Sequence, residues 1–179
     1  MDQIVATYAN AHDDGVTCLR RINSTNLNTL ITTGMGGKIN FLDPTRLDTA
    51  HASALQTVFQ SDTGIVAVDW SERRHSLYTG DYSQKINIYD VAVRKKTGAL
   101  GSYGQTGHRD MLVSVACNDD RNQIISTDAG GVIKVWDTRT LRCLQTTRDP
   151  EQDKASGLTA CVTNDEENII TGGAFLHRW

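Results

Sequence analysis

The stretch GHRDMLVSVACNDDRNQIISTDAGGVIKVWD, Gly107 to Asp137, decides the fold. It holds three apolar runs, Leu112-Val113-Ser114-Val115, Ile124-Ile125-Ser126-Thr127 and Ile133-Lys134-Val135-Trp136-Asp137, parted by the polar turn Asn118-Asp119-Asp120-Arg121 and by Gly130-Gly131. Alternation of apolar and polar residues over such short runs is the period-two signature of β structure, and glycines supply the positive φ angles that tight hairpins need. The stretch therefore predicts an inner strand followed by a hairpin.

The same design recurs on both sides. Leu30-Ile31-Thr32-Thr33-Gly34, Leu77-Tyr78-Thr79-Gly80 and Ile169-Ile170-Thr171-Gly172 repeat the hairpin's first strand; Lys38–Asp43, Lys85–Asp90 and Leu176–Trp179 repeat its second. The closing residues Asp43, Asp90 and Asp137 are spaced 47 apart. Inner strands are predicted at Val16–Leu19, Ile65–Val68 and Leu158–Cys161, and a more variable segment such as Leu141–Thr146 serves as a fourth, outer strand. A repeat of this length built from four strands buries its faces only by stacking on its neighbours.

Gly107-His108, Ser126 and Trp136-Asp137 together resemble the WD-repeat family, with Tyr89-Asp90 and Leu42-Asp43 standing where Trp-Asp is expected in the other units. The resemblance implies an all-β fold, a β-propeller of four-stranded antiparallel blades with about four WD40-type units, at about 12–58, 59–106, 107–154 and 155–179. It also implies a buried network joining a His, a Ser or Thr, a turn Asp and the Trp. The third unit offers His108, Ser126, Trp136 and Asp137, but Gly130 stands where the family places the turn Asp, as do Gly36 and Ser83 in the first two units. The network is accordingly expected to be incomplete in every unit.

Residues 3–8 resemble an outer strand that would complete the last unit, which stops at Trp179 after three strands. The reading adopted is a partial propeller, the N-terminal part of a longer ring that continues beyond 179; a closed four-blade ring and two chains joining into an eight-blade ring are the alternatives. Open blade edges would need covering by more chain, by a partner or by homo-oligomerisation.

Composition narrows the function. Eighteen Lys and Arg stand against 21 Asp and Glu. The basic groups Arg20-Arg21, Arg73-Arg74 and Arg94-Lys95-Lys96 are short, so no electrostatic footprint for nucleic acid or membrane is expected. No signal sequence is read at Met1–Ile4, and the chain is expected to be intracellular, with the cytoplasm preferred over nuclear or cytoskeletal assemblies. Cys18, Cys117, Cys143 and Cys161 form no Cys-x-x-Cys pair and are expected as reduced thiols, three of them in the core. Gly34-Met35-Gly36-Gly37-Lys38 lacks the phosphate-loop spacing, and the five histidines show no metal spacing. Neither a catalytic group, a metal nor a cofactor is predicted.

The resemblance directs partner binding to the loops that lead into the inner strands and to the hairpin turns at the same end. Candidates are His12, Asp13, Asp14, Arg109 and Asp110 in the former and Met35, Tyr82 and Gln84 in the latter. The function expected is a non-catalytic scaffold for protein–protein interaction in a multiprotein complex. The alternative is a module recognising a peptide or modified tail at the propeller face, and a propeller enzyme is a distant third.

Overall fold

A computed structural model describes residues 11–23, 28–45, 55–101, 107–148, 159–162, 168–172 and 176–178. The expected strand at 3–8 lies outside them. The chain divides into two compact units, residues 1–65 and 66–179, with the boundary at the start of β5.

The first unit holds one antiparallel sheet in sequence order: β1 (Val16–Asn23), β2 (Asn28–Gly34), β3 (Lys38–Leu42) and β4 (Leu55–Gln60). Ile22, Ile31, Ile39, Leu42 and Phe59 are its buried apolar side chains. Gly37, at φ 79°, turns the β2–β3 hairpin and accepts the Ser61 N–H.

The second unit repeats the plan. β5 (Ile65–Ser71), β6 (Ser76–Asp81), β7 (Ile86–Asp90) and β8 (Lys95–Leu100) form one four-stranded sheet; β9 (Leu112–Asn118), β10 (Gln123–Asp128), β11 (Val132–Asp137) and β12 (Cys143–Arg148) form the next. A sheet of β13 (Thr159–Val162), β14 (Ile169–Gly172) and β15 (Leu176–Arg178) follows, with no fourth strand among the described residues. The chain is thus all-β, built of propeller blades. The outer strand expected at Leu141–Thr146 starts later, at Cys143, because Leu141 sits at φ 57° with its N–H bonded to Asp137 O, closing a turn that precedes the strand.

Strand alternation explains the packing in this unit. Tyr78, Ile86, Ile88 and Leu100 of the β5–β8 blade meet Leu112, Val115, Ile124 and Trp136 of the β9–β12 blade in one buried cluster. Burying a Trp removes roughly 200 Å² from water, about 5 kcal/mol gross at about 25 cal/mol per Å². Gly80 permits the approach, since a Cβ there would meet Val115 Cγ2 at 3.1 Å and Leu112 Cβ at 3.3 Å. On the other face of the β9–β12 blade, Ile125 and Ile133 pack with Val135 and Ile169.

Polar bonds also tie these two blades. Cys117 N donates to Asp69 Oδ2 at 2.8 Å, Arg73 N donates to Asp119 Oδ2 at 3.2 Å, and the Ser71 hydroxyl donates to the same Asp119 carboxylate. Cys18, Cys117 and Cys143 are free thiols but half-buried, which corrects the expectation of core residues. Each stands on a strand that lies at an edge of its four-stranded sheet, where coverage is partial.

Candidate functional site: a fastened blade and its turns

Residues 126, 128 and 136 share one face of the β9–β12 blade, because 126 and 128 are two apart on β10 and Trp136 pairs with Ile124. The loop before β9 brings His108 onto that face. Trp136 Nε1 donates to Ser126 Oγ at 2.8 Å, Ser126 Oγ lies 2.6 Å from His108 Nε2, and His108 Nδ1 lies 2.7 Å from Asp128 Oδ2. An ionised carboxylate only accepts, so His108 Nδ1–H donates to Asp128 and, in the neutral ring, Nε2 accepts the serine hydroxyl. Asp128 Oδ1 in turn accepts the N–H groups of Gly130 at 3.0 Å and Val132 at 2.9 Å, fixing the β10–β11 turn.

This network corrects the expectation that every unit is incomplete. Asp128, at the end of β10, fills the place that sequence spacing assigned to Gly130. Asp137 stands outside the network: its Oδ1 accepts Arg139 N at 2.6 Å and Thr140 N at 3.2 Å, capping the β11–β12 turn. Burial of Asp128 opposes its ionisation, but the hydrogen bonds from His108 and from the Val132 and Gly130 N–H groups outweigh it. The carboxyl is held below its ordinary value of 3.8.

Strand registers identify the equivalent positions elsewhere. Thr79, Asn87 and Tyr89 occupy the places of Ser126, Lys134 and Trp136, and Asp81 that of Asp128. Asp81 is satisfied by Asn87 Nδ2 at 2.6 Å and by Ser83 N at 2.9 Å. This blade therefore fastens its turn through Asn87.

In the first unit Thr32 and Asn40 take those places, and Gly34 that of Asp128. His12 Nε2 lies 2.8 Å from Thr32 Oγ1 and accepts Asn40 Nδ2 at 3.2 Å, so the ring proton sits on Nδ1. That atom is buried with no hydrogen-bond partner among the described residues. Burial, then the nearby Lys38 charge, pushes the His12 pKa below its ordinary 6.5. His12, offered as a surface contact by the sequence, instead turns inward.

The remaining candidates do face outward. In the first unit Asp13 pairs with Lys38 at 2.5 Å, Asp14 is exposed and lies near Gly36, and Met35 is 41% exposed. In the second unit Tyr82 is 43% exposed and Gln84, at φ 66°, donates from Nε2 to Arg109 O at 3.3 Å. That bond joins the β6–β7 turn to the loop before β9. Asp110 Oδ1 accepts Met111 N at 2.8 Å, and Met111 is itself exposed. Among the described residues no three of His, Cys, Asp or Glu gather as a metal cluster, and no helix is long and apolar enough to cross a membrane.

Comparison with known proteins bears on the blade just described. Residues 101–137 match the family described as WD domain, G-beta repeat. The chain is 35% identical over 101 residues to Ribosome biogenesis protein YTM1 of Scheffersomyces stipitis, an overlap of 54% of this chain and 22% of that protein. It is 27% identical over 107 residues to Autophagy-related protein 16 of Arabidopsis thaliana, covering 58% and 20% respectively. The solved WD40 repeats of RRP9 superpose with a TM-score of 0.71 over 94% of this chain and 48% of that one, at 19% identity. The structure of U3-55K gives the same TM-score and identity over 94% and 49%. The chain thus spans about a fifth of the length of these relatives and about half of these structures, whose likeness shows the fold alone.

Proposed function

This is a WD40-repeat chain, and from that premise we propose that it is a non-catalytic scaffold holding proteins together in a larger assembly. The observation that carries the reading is where the polar chemistry goes. His108, Asp128, Ser126 and Trp136 spend their hydrogen bonds on one another and on the β10–β11 turn, as Asp81 and Asn87 do on the β6–β7 turn. Groups that would serve catalysis elsewhere hold turns in place here, and the exposed Tyr82, Arg109 and Met111 are presented on that rigid support. The names of the relatives, ribosome biogenesis and autophagy, support work within a cell, and they add nothing to the preference for the cytoplasm.

The partner proposed is protein rather than nucleic acid or membrane. Units at about 12–58, 59–106, 107–154 and 155–179 remain our reading of the layout. Purification of the tagged chain from its source cell tests the function. Proteins co-purifying in near-stoichiometric amounts are expected; recovery of the chain alone would overturn the scaffold reading.

A second reading, recognition of a peptide at one end of the blades, draws on Tyr82 beside the Gln84–Arg109 contact. Aromatic side chains on a fixed turn are favoured anchors. Tyr82→Ala would then remove most of the affinity for a captured partner while leaving the fold intact.

A further inference from the structure

The basic residues that look scattered in sequence are gathered by the fold at one end of the second unit. In an up-and-down sheet the first and third turns share an end, so the turns after β5, β7, β9 and β11 lie together. Hydrogen bonds join them: Val91 N donates to His75 O at 3.4 Å, Thr138 N donates to Asn122 O at 2.9 Å, and Arg73 N reaches Asp119 across the two blades. The Leu141 side chain lies close to Gly98 of the neighbouring blade. The four turns form one continuous surface.

Every one of these turns carries arginine. Arg74 and Arg121 are 47 residues apart, as are Lys95 and Arg142, so cations recur at equivalent places in consecutive blades. Arg73, Arg94 and Arg139 stand beside them, and all but the half-buried Arg74 are exposed. The turn shapes repeat too: His75 and Asn122 lie at φ 48° and 55°, Arg94 and Leu141 at φ 52° and 57°. Such left-handed residues fix the direction in which neighbouring side chains leave the turn.

Carboxylates share this end, but most are already engaged in hydrogen bonds. Asp90 and Asp137 cap their own turns, Asp119 binds Ser71 and the Arg73 N–H, and Glu72 accepts Trp70 Nε1 at 2.8 Å. Asp120 is exposed beside Arg121. Arg94, Arg121 and Arg142 form no ion pair among the described residues. Val93, 65% exposed, precedes Arg94 in the β7–β8 turn.

We infer that this end of the second unit docks an acidic, partly apolar segment of a partner protein. The proposal rests on the scaffold reading and names the chemistry of one partner. Guanidinium forks match spaced carboxylates in a bidentate manner. Val93 adds an apolar contact that a phosphate chain would not use. Glu72 and Asp120 interrupt the cationic track, which a uniformly charged nucleic-acid backbone tolerates poorly and a peptide with spaced carboxylates can thread.

A fluorescent peptide of alternating glutamate and leucine, titrated with the full chain and followed by anisotropy, tests this. Joint Arg121→Glu and Arg142→Glu substitution is expected to weaken binding at least about tenfold, while joint Arg121→Lys and Arg142→Lys substitution costs less. Arg148→Glu, at the other end of β12, should leave affinity within about twofold, since charges beyond a Debye length are screened. An unchanged circular dichroism spectrum shows that each variant folds. Absence of binding by the unaltered chain, indifference to the double reversal, or tighter binding of oligouridylate than of peptide overturns the proposal. If the glutamate variant loses the peptide yet keeps its cellular partners, this docking end is not used in the assembly and the proposal falls while the scaffold reading stands. If the unaltered chain has no partners at all, the scaffold reading falls.

Discussion

Asp128 and His108 stand twenty residues apart in the chain and 2.7 Å apart in the folded blade, each almost wholly buried. Neither is tolerable there without the other. A buried donor or carboxylate left without its partner retains the full cost of desolvation.

Asp128→Ala is therefore expected to destabilise the second unit by about 2–4 kcal/mol, because it strands His108 Nδ1 and frees the N–H groups of Gly130 and Val132. Trp136→Phe, which removes the indole donor and some volume, should cost about 1–3 kcal/mol. Urea unfolding followed by circular dichroism measures both. A loss under about 0.5 kcal/mol for Asp128→Ala would show that the network contributes little.

Acid should act in two stages. The folded pKa of His12 lies below its ordinary 6.5, so the stability it confers is complete above that pH and declines as pH falls below it toward the folded value. The folded pKa of Asp128 lies below its ordinary 3.8, so its contribution is present above that value and is lost as pH falls through the folded one. Urea titrations across this range should show the milder loss removed in His12→Gln and the deeper one removed in Asp128→Asn. A wild-type profile flat down to pH 5 would contradict the assignment to His12.

Gly34→Asp restores the letter found at Asp128, yet it should destabilise the first unit. A Cβ at Gly34 would press on His12 Nδ1 and approach Gly15 O to 2.8 Å, so there is no room for a carboxylate above the ring. The measurement is the unfolding midpoint of the variant. A rise would mean that His12 yields and the network completes itself.

How much of this was legible in the sequence follows from which feature carried each signal. Period-two alternation and the 47-residue spacing give the strands and the blade order, since both are direct consequences of pleat and repeat. Spacing back from Trp136 to the turn points at Gly130, which hides the network. Counting forward from Ser126 along the same strand face reaches Asp128, twenty residues after His108. His12 keeps the histidine letter without its acid, and only the structure shows it facing inward. The cationic end was invisible because its residues come from four turns; apart from the short runs at Arg73 and Arg94 they are distant in the chain, and only the fold brings them together.

Tyr82→Ala should leave the unfolding free energy within about 0.5 kcal/mol, as expected for an exposed turn residue. Its effect belongs to binding. A loss above about 1 kcal/mol would show that the ring packs on its own blade and serves structure.

The scaffold reading is tested most directly by the size at which the untagged native chain elutes from a gently prepared lysate of its source cell. Elution in a protein assembly several times the mass of one chain, insensitive to ribonuclease, is the result predicted. Elution at the mass of a single chain, or in a particle that ribonuclease dissolves, would contradict it.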